Sequence, residues 1–215
     1  MRQYDNKVVV VTGGAGHIGR AICQEFLNKG AQVIACGRRP PEVPIGDGPE
    51  EAIFFAADLR DPESSQSLVD FTLERFGRMD ILVNNAGGSP PVEAASASPR
   101  LTEKIVALNL VAPLVLSQQA HGALSANEAP GCIVNIASVS GARPSPGTAA
   151  YGAAKAGLLS STRSLAMEWG PHIRVNAIVV GLVHNAAGIE HYGGAEGFQR
   201  VADMLPLGRM ATPVD

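Results

Sequence analysis

A doubly wound α/β domain, a parallel sheet with helices on both faces, is the fold this chain predicts. Three observations point there. Strand-like and helix-like segments alternate along the 215 residues, the first strand-like run is continuously apolar, and a glycine-rich turn joins that strand to the first helix. Strands buried on both faces need unbroken apolar runs, and parallel neighbours need crossover helices between them.

The elements follow in order. Val8, Val9, Val10 and Val11 form a run suited to a central strand. The helix after the turn puts Ile18, Ala21, Ile22 and Phe26 on one face and stops at Gly30, a residue that favours helix ends. Residues 32–36 and 52–57 read as the second and third strands, with 39–50 between them as an exposed loop rich in proline and glycine. Pro62 opens a helix to about Phe76, and residues 81–83 make the fourth strand. A long helix over 101–124, a fifth strand at 132–137, a helix at 149–169 and a sixth strand at 173–180 complete the pattern. Neither an internal repeat nor a linker interrupts it, so one domain over 1–215 is expected. Ligands of such sheets bind at the carboxyl ends of the strands, where the motifs below fall.

Composition narrows the function. The formal charge is −3 and no basic block occurs, which argues against nucleic acid or an anionic membrane as partner. Cys23, Cys36 and Cys132 are far apart, and His17, His121, His172, His184 and His191 form no ligand pattern, so no metal site is predicted. The amino terminus lacks a signal-peptide core and no apolar run looks long enough to span a bilayer; the expected location is the cytoplasm, with reduced thiols.

The turn reads Thr12-Gly13-Gly14-Ala15-Gly16-His17-Ile18-Gly19. Glycine lets backbone approach a pyrophosphate closely, and a helix N-terminus offers free N–H groups and positive dipole. A purely structural turn is the alternative; the flanking strand and helix favour dinucleotide binding and a Rossmann-type sheet.

With these residues the chain resembles the short-chain dehydrogenase/reductase family over essentially its whole length, in the short single-domain branch. That branch usually carries Thr-Gly-x-x-x-Gly-x-Gly, with a glycine at position 17. Here position 17 is histidine and the glycine stands at 16, a spacing similar to the longer epimerase-like branch. The resemblance implies cofactor contacts from Gly13, Gly16, His17, Ile18 and Gly19, although a solvated loop position is the plainer reading of His17.

An acid ending the second strand would select NAD through the ribose 2′-hydroxyl, whereas a neutral residue with a nearby arginine admits the 2′-phosphate of NADP. Gly37 occupies that place and Arg38 follows it, so NADP is expected, with NAD possible. The resemblance further implies that Asp58 and Leu59 meet the adenine and that Asn85, Ala86 and Gly87, within Asn84-Asn85-Ala86-Gly87, lie beside the nicotinamide ribose.

Tyr151 and Lys155 stand four residues apart on a helix, hence on one face. A tyrosine titrates near 10, and a fixed ammonium close by favours its phenolate. Ser138 ends the fifth strand, thirteen residues before Tyr151, and Asn109 lies in a largely apolar helix. The resemblance implies a catalytic set of Asn109, Ser138, Tyr151 and Lys155, with Tyr151 and Lys155 also touching cofactor. After the sixth strand the family usually reads Pro-Gly-x-x-x-Thr; this chain reads Val180-Gly181-Leu182-Val183-His184-Asn185, leaving Gly181, Val183 and Asn185 as the implied carboxamide contacts.

The expected activity is hydride transfer between a nicotinamide cofactor and a small-molecule carbonyl or alcohol. A cofactor-binding regulator without turnover, or an epimerase-like enzyme, is the alternative. Substrate should meet Gly88, Ser89, Pro90 and Pro91, the loop 139–148, and a glycine-rich lid over 184–205. The helices at 101–124 and 149–169 are apolar on more than one face and so call for a covering partner, which the resemblance implies is a second copy in a homodimer or homotetramer. Finally, Thr212-Pro213 reads as the start of a helix, and the resemblance implies that a further helix and a seventh strand are expected beyond Asp215.

Overall fold

The computed structural model describes residues 2–48, 50–185 and 194–215. Within it the chain forms two units, Met1–Val179 and Val180–Asp215. The first holds the sheet, whose strand order is β3-β2-β1-β4-β5-β6. The strands are β1 (Val8–Thr12), β2 (Gln32–Gly37), β3 (Ile53–Ala56), β4 (Ile81–Asn84), β5 (Gly131–Ser138) and β6 (Ile173–Val180). β1 pairs in parallel with both β2 and β4, so the order reverses across β1. Right-handed crossovers then place α1 (His17–Asn28) on one face and α2 (Pro62–Phe76), α4 (Ala112–Ser125) and α5 (Ala149–Trp169) on the other. The crevice at that reversal is where such sheets take ligands.

β1 is buried along its whole length, as its valines require. Around it the core gathers Val10, Ile34, Leu68, Leu82, Leu116 and Ile133. At the foot of the sheet Asp80 accepts from the Val8 N–H at 2.9 Å and pairs with Lys7 and Arg78, tying β1 to β4 where both begin. Burial would raise the Asp80 carboxyl, but the Arg78 fork, the Val8 N–H and Lys7 together hold it below the ordinary range.

Several expectations need correction. In α1 the deepest stripe is Gly19, Cys23 and Leu27, one position along from the expected face, and Ile18, Ala21, Ile22 and Phe26 are only half-buried. The segment 39–50 is not simply exposed. Ile45 is buried, its carbonyl accepts from Ala52 N, and Arg20 of α1 donates to the carbonyls of Val43 and Pro44.

The long helix departs most. It begins at α3 (Pro99–Val106), capped by the Ser98 hydroxyl on Leu101 N, and widens into a π turn at Ala107–Val111 before α4. Pro113 explains the widening. It has no N–H for the carbonyl four residues earlier, at Asn109, and its ring crowds that turn. Contrary to the expectation from composition, this continuous helix, Pro99–Ser125, is long and apolar enough to cross a membrane by length and composition alone. Its inward face, Ala112, Leu116, Ala120 and Leu124, is built into the core.

In the second unit Val183 bridges Ala211, His184 N donates to the Ala211 carbonyl, and α6 (Gly194–Asp203) follows. The expected lid is therefore helical from Gly194 onward; its residues 186–193 lie outside the described residues.

Candidate active site

At the carboxyl end of β1 the turn is fastened before any ligand is considered. The Thr12 hydroxyl accepts from the N–H groups of Asn85 and Ala86 at 2.9 and 3.0 Å, and the Asn85 amide donates back to the carbonyls of Thr12 and Gly13. Asn85 thus spends its side chain on holding the turn. Gly13 has φ +63, and a Cβ on Gly19 would lie 2.1 Å from the Gly13 carbonyl oxygen, so glycine is obligatory at that contact. Gly16 caps α1 without a side chain and no acidic residue stands in the first turn, which leaves that terminus suited to an anion. His17 is the first residue of α1, not a loop residue, and is exposed; Ile18 follows it half-buried.

A cleft of about 320 Å³ runs from this turn across the strand ends. Gly13, Gly37, Arg38, Asp58, Arg60 and Gly87 contribute to its wall. Leu59 also reaches the wall, while the residue is largely buried in the core. Asp58 is gripped by Arg60 through both carboxylate oxygens and the Arg60 N–H, and its carboxyl is pulled down to about 2 by that guanidinium, with Arg38 assisting. Arg60 and Lys104, which also borders the cleft, were not anticipated. Their side chains carried no motif; only the fold brings α3 opposite the end of β3.

The remaining residues converge next to this cleft. Ser138 ends β5 and lies near enough to Tyr151, in the first turn of α5, to act on its phenol. The approach depends on Gly141, where a Cβ would lie 2.6 Å from the Lys155 carbonyl carbon. Burial raises the Tyr151 phenol above its usual range, and Ser138 opposes that. Lys155 is 3% exposed, donates to the Ile136 carbonyl at 2.7 Å, and is lowered to about 8 by burial. Its Nζ lies 5.7 Å from the Tyr151 ring centroid.

Asn109, fully buried in the π turn, clasps the Gly88 peptide. Its Oδ1 accepts from Gly88 N and its Nδ2 donates to the Gly88 carbonyl, both at 2.9 Å, and Nδ2 also bonds Ile105 O. Gly87 sits in the gap between two of these groups. A Cβ there would lie 2.6 Å from Asn109 Oδ1 and 3.3 Å from Lys155 Nζ. Gly181, Val183 and Asn185 belong to the second unit, where Val183 forms the bridge to Ala211 and Asn185 is exposed. Among the described residues no group of three His, Cys, Asp or Glu could hold a metal ion.

Comparison with known proteins agrees with this architecture. The family model for short chain dehydrogenases matches residues 7–191. An uncharacterized oxidoreductase of Mycobacterium tuberculosis is 34% identical across all of this chain and 84% of its own length. A 7alpha-hydroxysteroid dehydrogenase of Bacteroides fragilis is 30% identical over 99% of this chain and 83% of that protein. In structure, the ligand-free aldohexose dehydrogenase of Thermoplasma acidophilum superposes with TM-score 0.90 over 98% of this chain and 83% of its own, at 24% identity, a likeness of fold. A variant of actinorhodin polyketide ketoreductase, solved with NADPH, gives 0.88 over 100% of this chain and 88% of that one, at 28% identity. The chain belongs to the short chain dehydrogenase family.

Gly87→Ala tests the gap. The methyl group would press on Asn109 and Lys155, so turnover should fall by about tenfold or more while the fold survives, as a displacement near 1 Å at a reacting site does. Steady-state kinetics with circular dichroism checks it, and a folded Gly87→Ala protein with parental turnover would contradict it.

Proposed function

We propose that this chain is an NADP(H)-preferring carbonyl reductase or alcohol dehydrogenase in which Tyr151 exchanges the proton of the substrate oxygen. The observation that carries this reading is the convergence of Ser138, Tyr151, Lys155 and Asn109 beside the cleft that begins at the glycine turn.

The cleft suits a dinucleotide. Glycine at 13 and 19 keeps the turn tight, since a Cβ there would strike Ala86, Asn85 or the Gly13 carbonyl, and with Gly16 and Ile18 the turn would hold the phosphates at the N-terminus of α1. Gly37 and Arg38 would take the adenosine ribose, Asp58 and Leu59 the adenine, and Ala86, Gly87, Tyr151 and Lys155 the nicotinamide half. Arg38 supplies a guanidinium for a 2′-phosphate. Arg60 neutralises Asp58 beside it, so no uncompensated carboxylate opposes that phosphate. When bound, the nicotinamide supplies hydride chemistry at a carbonyl or alcohol carbon.

The chain's own groups handle the oxygen. Ser138 orients it by hydrogen bonding. Tyr151, a phenol that burial raises further above neutrality, is the proton donor for carbonyl reduction. Lys155 secures the ribose and brings positive charge beneath the phenol. Asn109 holds the Gly87–Gly88 peptide against the site. Assembly as a homodimer or homotetramer through α4 and α5 is part of the proposal, supported by the exposure of Val111 and Met167. A reducing, cytoplasmic setting is part of the proposal, and Cys23, Cys36 and Cys132 are free thiols.

Tyr151→Phe keeps the ring and removes the proton, so turnover should drop about a hundredfold or more with cofactor affinity nearly unchanged. Turnover and cofactor titration of the folded variant check this; near-parental turnover would overturn the acid/base role. Arg38→Asp should move preference from NADP toward NAD, because it replaces a phosphate partner with a repelling acceptor for the ribose hydroxyl. Competitive binding of both cofactors is the measurement, and a parent protein that binds them equally would refute the role of Arg38.

A further inference from the structure

Behind the site, a chain of buried polar side chains runs between the sheet and the two helices that carry its residues. It starts at the Asn84 amide group. One branch donates to the Ser117 hydroxyl of α4 at 3.0 Å, and Ser117 donates onward to the Pro113 carbonyl at 2.6 Å. The other branch donates to Asn135 Oδ1 at 2.9 Å. Asn135 in turn donates to the Thr162 hydroxyl of α5 at 2.9 Å, which ends on the Leu158 carbonyl at 2.7 Å. Asn84 and Asn135 are register partners on β4 and β5, and Ser117, Asn84, Asn135 and Thr162 are all at most 6% exposed.

The amide of Asn84 has two hydrogens, and each serves one helix. Each helix hydroxyl is aimed by a carbonyl four residues back in its own helix, and the bonds that cross from sheet to helix are Asn84–Ser117 and Asn135–Thr162, so sliding either helix breaks one of them. Such a fixture is needed here. α5 has apolar residues around much of its girth, and apolar contacts alone are non-directional. Thr162 lies two turns beyond Lys155 on the same face, about 10 Å along the axis. Ser117 lies about 12 Å beyond Asn109 on the other helix. Asn135 immediately precedes Ile136, whose carbonyl receives Lys155.

We propose that Ser117, Asn84, Asn135 and Thr162 are positioning residues: a branched hydrogen-bond fixture that sets the axial register of α4 and α5 against the sheet, and so places Lys155 under β5 and Asn109 against Gly88. The proposal rests on the reading of Lys155 and Asn109 as site residues, but it concerns their position and can be measured without turnover.

The test compares Thr162→Val, which keeps the shape and loses the hydroxyl, with Thr162→Ser, which keeps the hydroxyl. The groups facing Lys155 are the Tyr151 phenol on its own helix, the Ile136 carbonyl on β5 and the neutral Asn109 and Gly87 side of the cleft, so a change in its titration reports its seating. Competitive labelling of the Lys155 amine across pH, with a small acylating reagent, should show the midpoint of Thr162→Val moved upward by about half a unit or more as water reaches the ammonium. The pH profile of kcat should move with it, and Thr162→Ser should behave as the parent. A folded Thr162→Val protein with the parental labelling midpoint overturns the proposal. Should Thr162→Val fail to fold, Ser117→Ala decides: exchange of the Gly88 amide hydrogen, held by Asn109, should quicken several-fold, and parental exchange overturns the proposal. If Tyr151→Phe retains turnover, the acid/base reading fails while these labelling and exchange results still stand or fall on their own.

Discussion

The ammonium of Lys155 donates to the Ile136 carbonyl from a position almost closed to solvent, and the arrangement of the site follows from how the fold accommodates that charge. An ammonium buried among neutral groups is disfavoured, and burial alone brings this one from 10.5 to about 8. The folded state therefore holds the proton less tightly than the unfolded chain does. Below about pH 8 the buried charge costs stability; as pH rises from there toward 10.5 the unfolded chain loses its proton too and the cost is relieved. That cost is tolerated where β5, α5 and the π turn are held in one register and where Gly87 leaves room between Lys155 and Asn109.

The same constraint accounts for local features that look unrelated. Pro113 breaks the ladder of the long helix at Asn109, and the widened turn presents that side chain to the Gly88 peptide. Gly141 lets the turn after β5 lie directly on α5, so Ser138 reaches Tyr151. Across the sheet reversal, Asn85 and Thr12 lock the glycine turn to the segment carrying Gly87. Membership of the short chain dehydrogenase family agrees with this frame, and particular residues give this chain its own character: histidine at 17, Arg38 and Arg60 at the cleft, and asparagine at 185.

Much of the fold was legible: β1, buried on both faces, advertises itself as an unbroken apolar run, and β6, half-exposed and interrupted by Arg174 and Asn176, still falls where the strand–helix alternation put it. Other features were hidden because they depend on contacts distant in sequence. Ile45 looks like one apolar residue in a polar loop until Arg20 is seen holding that loop down. The face of α1 was misjudged by one position, since Gly19 has no side chain to signal burial. In the site, the spacing of Tyr151 and Lys155 declared one helix face, and Ser138 declared a strand end. The partners of Asn109, the grip of Arg60 on Asp58, and the Asn135–Thr162 bond carried no local signal. Pro113 did carry one, a proline inside a helical pattern, and it marks the π turn.

The central claim is that these groups form a reductase site for a phosphorylated nicotinamide cofactor, and cofactor absorbance tests it most directly. Purified protein with NADPH and a panel of aldehydes and ketones should oxidise cofactor in step with alcohol formed, faster than with NADH at equal concentration. Binding of NADPH without net oxidation across the panel would contradict the account.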